Sequence, residues 1–359
     1  MKRLIAMLAV TLVLMGTIAF TDTRYGTRRD GLYYQVTDIR PDAQLMHING
    51  EPVYAEEYFY WLSSVCDYLY SYTQGQVDFT ANLTDEMTYG QYAKSDAAET
   101  VKLYAVVRQM AAEAGIELNE KDLAALEQQR AQYVAYYGSE AAYLQQLQLL
   151  GVSEEMLHSI ESTPYLYGHL MEMYCAKDGA LRPSDEDLYA FGEEKGYVTA
   201  QLLFFPTTGL DAAAVEEVRT KAESYVQRWQ SESDKSAAYT AMCGELLLEA
   251  DAAGLTFEPN NSDPRVCAAV TALKEDAISS VVEGESGFYV ARRLALNVDP
   301  LTEDLFNILL QEKQDSAKVE YSKKLYDSID VEAFYLALSM ARTMLSQEMA
   351  LQQQTTPVQ

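Results

Sequence analysis

Residues 197–204 read Tyr197-Val198-Thr199-Ala200-Gln201-Leu202-Leu203-Phe204, and residues 287–294 read Gly287-Phe288-Tyr289-Val290-Ala291-Arg292-Arg293-Leu294. Both stretches are rich in apolar, β-branched and aromatic residues, a composition typical of strands. A further short strand is predicted at 278–282. Between the first two stretches, apolar residues have helical spacing at 211–230, near 236–248 and near 264–274. Two distant strands with helices between them predict a small α+β domain.

The chain before this domain has the pattern of a helical domain. Helices are predicted at 55–72, 89–114, 120–137, 140–150 and 154–175. Gly115, Gly138 and Gly151 each stand where a left-handed residue ends a helix. Pro164 is expected to kink or break the last of these helices near Ser162 or Thr163. After the α+β domain, one long helix is predicted from residue 302 to about 347, with an interruption allowed near residue 330.

The charge of the chain is strongly negative and unevenly distributed. Lys and Arg number 27 and Asp and Glu number 54, a net charge of −27. Residues 1–40 nevertheless hold more basic than acidic side chains. A surface this acidic repels phosphate backbones, which argues against nucleic-acid binding and favours solubility.

The N-terminus carries a targeting pattern. Lys2 and Arg3 precede an uncharged, mainly apolar run from Leu4 to Phe20, and a polar stretch follows. This pattern predicts that residues 1–20 are a signal peptide or an N-terminal membrane anchor. Thr17-Ile18-Ala19 offers a small-x-small cleavage site, whereas the basic residues after the run are unusual for a cleaved signal. Either outcome predicts an exported, extracytoplasmic protein, secreted or anchored by residues 4–20, whose only contact with the membrane is this segment.

The four cysteines do not form a recognisable framework. Cys66, Cys175, Cys243 and Cys267 are widely scattered, and no CxxC pair occurs. Export makes a disulfide possible, and Cys243 with Cys267 is the best pair. Buried thiols in a core that needs no cross-link are an equally good interpretation.

The order of these segments resembles exported foldases and chaperones of the SurA and PrsA type. Residues 48–53, Ile-Asn-Gly-Glu-Pro-Val, are similar to the hydrophobic-Asn-Gly-Glu-Pro strand that leads into the first helix of that family. Residues 111–118, 137–140 and 151–153 resemble its later helix junctions. The resemblance implies a mainly helical α+β fold, in which a SurA-N-like chaperone domain is completed by a C-terminal helix and contains an inserted parvulin-like domain. The implied boundaries are a spacer at 21–44, the chaperone domain at 45–187, the parvulin-like domain at 188–298, the returning helix at 299–347 and a disordered tail at 348–359.

The resemblance of the inserted domain to parvulin-type peptidyl-prolyl isomerases is incomplete. Residues 268–274 with Ile278-Ser279 are similar to the helix that leads into the penultimate parvulin strand. Parvulins carry a histidine on the first strand and another on the last, but here Leu202 and Tyr289 stand at those positions and no histidine follows His169. The resemblance therefore implies a degenerate pocket with no catalytic residue. Its positions are Leu202, Phe204, Met242, Cys243, Phe257, Val266 and Tyr289.

The helical domain concentrates the tyrosines of the chain. Of the 27 tyrosines, 17 lie between Tyr54 and Tyr189. Tyrosine and methionine supply large, adaptable contact surfaces of the kind that non-specific binders use. The candidate client-binding residues are Tyr58, Tyr133, Tyr137, Met156, Tyr165 and Met173. For any one of them, packing between helices is the simpler interpretation.

Other chemistries lack motifs in this sequence. No HExxH, phosphate-binding glycine loop or nucleophile elbow occurs, so no metal and no cofactor is predicted. The leading hypothesis is an extracytoplasmic chaperone that binds unfolded or partly folded exported proteins, with an inactive isomerase site. The alternatives are an active parvulin-type isomerase with an altered site, and a structural or adaptor protein of the cell envelope.

Overall fold

A computed structural model describes residues 24–258 and 263–355, with side chains as far as Leu351 in the last helix. The chain forms two compact units. The helical unit comprises the residues up to Leu170 together with those from Leu309, and the inserted unit comprises Met171–Ile308. The predicted signal or anchor, residues 1–20, lies outside the described residues. Among the residues that are described, no helix is both long enough and apolar enough to cross a membrane.

The helical unit begins with a short helix and a hairpin. Helix α1 spans Leu32–Thr37, and strands β1 (Gln44–Ile48) and β2 (Glu51–Tyr54) pair antiparallel. Asn49 and Gly50 join the strands with φ values of 54° and 88°, as a tight hairpin turn requires. Helix α2, Ala55–Tyr72, follows directly.

Four further helices have the predicted bounds to within one residue. They are α3 (Tyr89–Glu113), α4 (Glu120–Tyr137), α5 (Glu140–Leu150) and α6 (Glu154–Cys175). Their ends are determined locally, because Asn119 and Ser139 accept hydrogen bonds from the first turns of α4 and α5, and Gly138 and Gly151 adopt left-handed conformations after their last turns.

The predicted break at Pro164 does not occur, because α6 is continuous. The Ser162 and Thr163 hydroxyls donate hydrogen bonds to the carbonyl oxygens of His158 and Ser159, at 2.6 and 3.1 Å. Both side chains are buried, so packing and these bonds hold the helix through the proline.

The C-terminal segment differs from the single long helix that was predicted. Helix α11 spans Leu301–Ser316, strand β7 spans Val319–Tyr321, helix α12 spans Lys323–Tyr326 and helix α13 spans Val331–Thr355. Strand β7 pairs antiparallel with β1, giving the order β2-β1-β7. The prediction missed this strand because its pairing partner lies more than 250 residues earlier. The disordered tail predicted from residue 348 is also wrong as far as residue 355, because α13 continues to Thr355.

The core of the helical unit draws on segments from both ends of the chain. The ring of Tyr33 lies 5.6 Å from that of Phe59 and 6.2 Å from that of Phe334, measured between centroids. Tyr33 and its neighbour Leu32 are buried. Residues 32 and 33 therefore belong to this core, and the interpretation of 21–44 as a mere spacer is wrong for them.

The inserted unit is a four-stranded antiparallel sheet with helices on both faces. Its elements are α7 (Asp185–Lys195), β3 (Val198–Pro206), α8 (Ala212–Ser231), α9 (Lys235–Leu246), β4 (Leu255–Phe257), α10 (Pro264–Ala272), β5 (Val282–Glu283) and β6 (Gly287–Leu294). The strand order is β4-β3-β6-β5, and Leu202 pairs with Ala291 and Phe204 with Tyr289. The predicted strand at 278–282 is reduced to a bridge between Ile278 and Arg292 and the two-residue β5.

The two faces of this sheet bury different residues. Leu203 and Phe205 of β3 pack with Trp229 against α8 and α9, whereas Val198 and Ala200 pack with Val266 against α10. This alternation follows from the two-residue period of a strand. The predicted fold class, a mainly helical α+β protein with a small α+β insertion and a returning C-terminal helix, is confirmed.

Candidate functional site

Five of the seven predicted pocket positions lie on one face of the inserted sheet. Leu202 and Tyr289 are half-buried and pack against the cluster that contains Phe257 and Val266. The ring of Phe204 lies 4.8 Å from the ring of Tyr289, its partner across the β3–β6 ladder. The structure therefore brings Leu202, Phe204, Phe257, Val266 and Tyr289 to one face.

Met242 and Cys243 do not belong to that group. Both are fully buried among Leu203, Phe205 and Trp229, on the opposite face of the sheet. The sequence interpretation failed here because helix α9, which carries them, covers the face that the odd-numbered residues of β3 occupy. Burial raises the pKa of the Cys243 thiol, so the group is protonated at neutral pH and inert as a nucleophile.

The cysteine pair proposed as a disulfide is also separated by the sheet. Cys267 lies in the cluster with Val266 and Val270, and Cys243 lies in the cluster on the other face. Within the described residues, which include all four cysteines, no disulfide forms. The interpretation as buried thiols fits Cys66, Cys243 and Cys267.

The polar chemistry of the Leu202–Tyr289 face is sparse. Leu202 offers no hydrogen-bonding group, and the Tyr289 hydroxyl lies 3.4 Å from the Ser286 hydroxyl. The three histidines of the chain, His47, His158 and His169, all precede the inserted unit. This face can present an apolar surface with one phenol, but it holds no imidazole that could act on a peptide carbonyl.

Tyr58, one of the six candidate client-binding residues, is inaccessible. Its side chain is fully buried in α2, its hydroxyl donates to the Lys94 carbonyl oxygen at 3.1 Å, and its ring packs edge-on against that of Tyr326. Burial raises the pKa of its phenol far above the usual value. The prediction of a client contact at Tyr58 is therefore wrong, because the apolar face to which it belongs is the core-facing one.

Tyr133 and Tyr137 are partly exposed on α4. The ring of Tyr133 stacks on that of Tyr143 at 6.4 Å, and its hydroxyl accepts a hydrogen bond from the Gln129 amide. Tyr137 packs edge-on against Tyr136, which is 82% exposed. These rings can contact a partner at the end of α4.

The remaining three candidates lie apart from one another. Met156 lines a cleft of about 680 Å³ together with Tyr54, Arg28 and Arg108. Tyr165 is half-buried on α6. Met173 belongs to the inserted unit and not to the helical unit.

The walls of the Met156 cleft carry two carboxylates that are almost completely buried. Glu57 accepts a hydrogen bond from Arg108 at 2.8 Å, and Glu56 accepts one from Arg28 at 2.9 Å and one from the Ser153 amide at 2.5 Å. Each buried charge thus has a partner, as its burial requires. The cleft joins these ion pairs to the apolar surface of Met156.

A further exposed apolar surface of the helical unit lies on α13, where no candidate was predicted. Leu336, Met340, Met344 and Leu351 are 61%, 59%, 68% and 63% exposed. At about 100° per residue they fall within an arc of about 80°, opposite the arc that holds the buried Phe334 and Leu338. We call these four residues the α13 stripe. The sequence contains the signal, because a helix that is apolar on two opposite faces has more apolar surface than one core contact can bury.

The orientation of the α13 stripe is set by polar contacts on the flank of the helix. The Tyr335 hydroxyl donates to Asp67 at 2.9 Å, and Arg342 donates to both Asp67 oxygens and, at 2.8 Å, to the Leu149 carbonyl. Because these bonds connect α13 to α2 and to the end of α5, the helix cannot rotate to bury the stripe.

The stripe continues into a second cleft, of about 680 Å³. Met344 lines it with the neighbouring Leu345, and the other walls come from α1, α5 and the connection between α5 and α6, including Leu32, Leu147 and Val152. Arg28 and Glu56 line its polar side. An apolar chain segment could therefore follow the stripe and enter the cleft past Met344.

No protein-family model and no curated protein matches this sequence. Among solved structures, the foldase PrsA from Streptococcus pneumoniae is 20% identical over 74% of this chain and 92% of that chain, with a TM-score of 0.26. PrsA from Bacillus subtilis is 16% identical over 74% of this chain and 90% of its own, with a TM-score of 0.22. A structure from the pair PEB4 and Cj1289, SurA-like chaperones of Campylobacter jejuni, is 12% identical over 74% of this chain and 90% of its own, with a TM-score of 0.22.

These matches span most of each chain, but their low identities and TM-scores carry no argument about what this chain binds or catalyses.

Proposed function

We propose that this protein is an extracytoplasmic chaperone that binds non-native exported polypeptides on its helical unit. The observation that carries the proposal is the α13 stripe, which continues through Met344 into a cleft with one apolar wall, formed by residues such as Leu32, Leu147 and Val152. Export is supported by the apolar run at residues 4–20 of the sequence.

The stripe is suited to clients of varied sequence. Each of its side chains, if fully covered by a client, would contribute about 1–2 kcal/mol of hydrophobic free energy. Two of the four are methionines, whose flexible side chains adapt to differently shaped partners. The net charge of −27 keeps a protein with so exposed an apolar surface soluble and favours basic clients.

The isomerase site of the inserted unit is inactive in this proposal. An isomerase lowers a barrier of about 20 kcal/mol by binding the twisted prolyl bond better than the planar one. Leu202 offers no polar group for this task, and the Tyr289 phenol has Ser286 as its neighbour. The inserted unit would then be a folded module without a catalytic role.

The test is suppression of aggregation of two unrelated denatured proteins by the full chain. The variant Leu336→Gln/Met340→Gln/Met344→Gln removes most of the stripe with good helix formers at exposed positions. We expect at least about 10-fold more of this variant to be needed for half-suppression, given the per-residue contribution above. Its far-UV circular dichroism and urea midpoint should match those of the unmodified chain.

The matched control replaces three exposed leucines of the inserted unit, as Leu210→Gln/Leu247→Gln/Leu255→Gln. These residues are 45%, 93% and 55% exposed. The control should suppress aggregation as well as the unmodified chain. Equal suppression by the stripe variant would contradict the proposed surface, and equal loss in both variants would show a general effect of exposed apolar residues.

Two further measurements separate the alternatives. Acceleration of cis-to-trans conversion of a proline peptide at high protein concentration would favour an active isomerase with an altered site. One stoichiometric folded partner, with no effect on any denatured client, would favour a structural or adaptor protein of the cell envelope.

A further inference from the structure

A group of unpaired basic side chains stands out on this acidic protein. Arg24 and Arg29 lie at the start of the described chain, and Lys323 and Lys324 lie in α12; all four are exposed. We call these four residues the basic cluster. It lies entirely within the helical unit.

Contacts with the start of β1 bring the two halves of the cluster together. The Thr27 amide donates to Asp42 at 2.7 Å, which fixes the N-terminal segment just before β1. The Ser322 amide donates to the Leu45 carbonyl at 2.9 Å, which fixes the beginning of α12 beside the same strand. The ammonium group of Lys324 lies 5.7 Å from the centroid of the Tyr25 ring, so the two segments meet.

The cluster differs from the other basic groups nearby in having no carboxylate partner. Arg28 pairs with Asp30 and Glu56, and Arg342 pairs with Asp67. Within residues 24–258 and 263–355, none of the four cluster residues forms an ion pair. Their charge is therefore available to an external anion.

The position of the cluster along the chain indicates which anion it meets. Arg24 follows the last residue of the apolar run, Phe20, by four positions. When residues 4–20 are held at a membrane, the cluster lies within a few residues of the lipid headgroups. Tyr25, 42% exposed between the cations, is the type of amphipathic ring that is enriched at membrane interfaces.

The acidity of the rest of the protein does not prevent this contact. At physiological salt, charges act over about 8 Å, so a membrane surface touching the cluster is largely screened from distant carboxylates. Basic residues beside a negatively charged bilayer each favour binding, and the effects of neighbouring residues accumulate.

We propose that the basic cluster is a docking surface for anionic lipid headgroups, which holds the β1 end of the helical unit against the membrane. This would be a second contact with the membrane, beside the one predicted for residues 4–20. It is also independent of the proposed chaperone activity.

The test compares binding of the full chain to vesicles of phosphatidylcholine alone and to vesicles containing 30% phosphatidylglycerol. The partition coefficient for the anionic vesicles is divided by that for the neutral vesicles. Because the apolar run inserts equally well into both, its contribution cancels in this ratio. We expect the ratio to fall about 5-fold for each cation removed. The ratio should fall by up to about 25-fold in each of two double variants, Lys323→Gln/Lys324→Gln and Arg24→Gln/Arg29→Gln. In 0.5 M NaCl the ratio of the unmodified chain should fall close to one.

The matched control is Lys121→Gln/Lys274→Gln, which removes two exposed lysines elsewhere and changes the net charge equally. Its ratio should stay within about 2-fold of the unmodified chain, since neither lysine belongs to the cluster. A ratio near one for the unmodified chain would overturn the proposal, as would equal decreases in the cluster and control variants. Binding to soluble polyphosphate as tight as binding to the anionic vesicles would overturn the assignment to a membrane.

Discussion

The same substitution, leucine to alanine, should have very different effects on stability on the two faces of α13. Leu338 is fully buried in the core of the helical unit, whereas Leu336 is 61% exposed on the stripe. Leu338→Ala removes buried methyl groups and leaves a cavity, so it should lower the free energy of unfolding of the helical unit by about 3–4 kcal/mol. Leu336→Ala should change it by less than about 0.5 kcal/mol, since it removes surface already in water and introduces the best helix former.

Urea titration, monitored by hydrogen exchange of peptides from α2 and α13, measures the stability of the helical unit. It does not assume that both units unfold together. Leu336→Ala should reduce aggregation suppression while leaving the exchange rates unchanged, and Leu338→Ala should accelerate exchange in both helices. A loss of more than about 1.5 kcal/mol in Leu336→Ala, or of less than about 1 kcal/mol in Leu338→Ala, would refute the orientation of α13 on which the stripe depends.

Two other predictions test packing and charge in the same unit. Gly151→Ala should lower the free energy of unfolding by about 2–4 kcal/mol, because Gly151 has a φ of 80° and an added methyl group would lie 2.7 Å from the Tyr33 ring. Gly115 has a φ of 68° and open space around it, so Gly115→Ala should lower it by only about 1 kcal/mol in the same urea titration. The hydrogen bond with the His169 ring, at 2.7 Å, lowers the pKa of the Asp122 carboxyl. The stabilisation from Asp122 is therefore present above the unfolded-state pKa of about 4 and lost as pH falls through the folded-state pKa, so Asp122→Asn should destabilise at pH 7 but have little effect near pH 2. A destabilisation by Asp122→Asn as large at pH 2 as at pH 7 would contradict this assignment.

Most helix bounds could be read from the sequence because their determinants are local. Asn119 before α4 and Gly138 after it act within four residues of the helix ends. The same holds for Ser139 and Gly151 around α5. Such capping contacts require no knowledge of the rest of the fold.

The wrong secondary-structure predictions concern segments whose conformation depends on contacts with distant parts of the chain. Strand β7 interrupts a predicted helix because the free edge of β1 offers backbone partners to residues 319–321. Pro164 remains inside α6 because buried neighbours and the Ser162 and Thr163 hydroxyls hold the helix together. Local propensity had favoured the other outcome in both cases.

The candidate sites show the same division. The pocket positions came from the family resemblance, and the two-residue period of β3 does bring Leu202 and Phe204 to one face. The sequence could not say which face α9 would cover, and Met242 and Cys243 lie on the opposite one. Tyr58 and Leu336 are both apolar residues of amphipathic helices, and only the packing buries one and exposes the other.

The sequence by itself determined most of the helices, the two long strands of the inserted unit, the fold class and the absence of a histidine from that unit, because these depend on residue identity and on contacts between near neighbours. The tertiary structure decided which apolar faces are covered. It turned Tyr58 and Tyr33 into core residues, left the α13 stripe in water and brought Tyr25 beside Lys324. Burial and charge clustering depend on which distant surfaces meet, and a pattern within one segment does not contain that information.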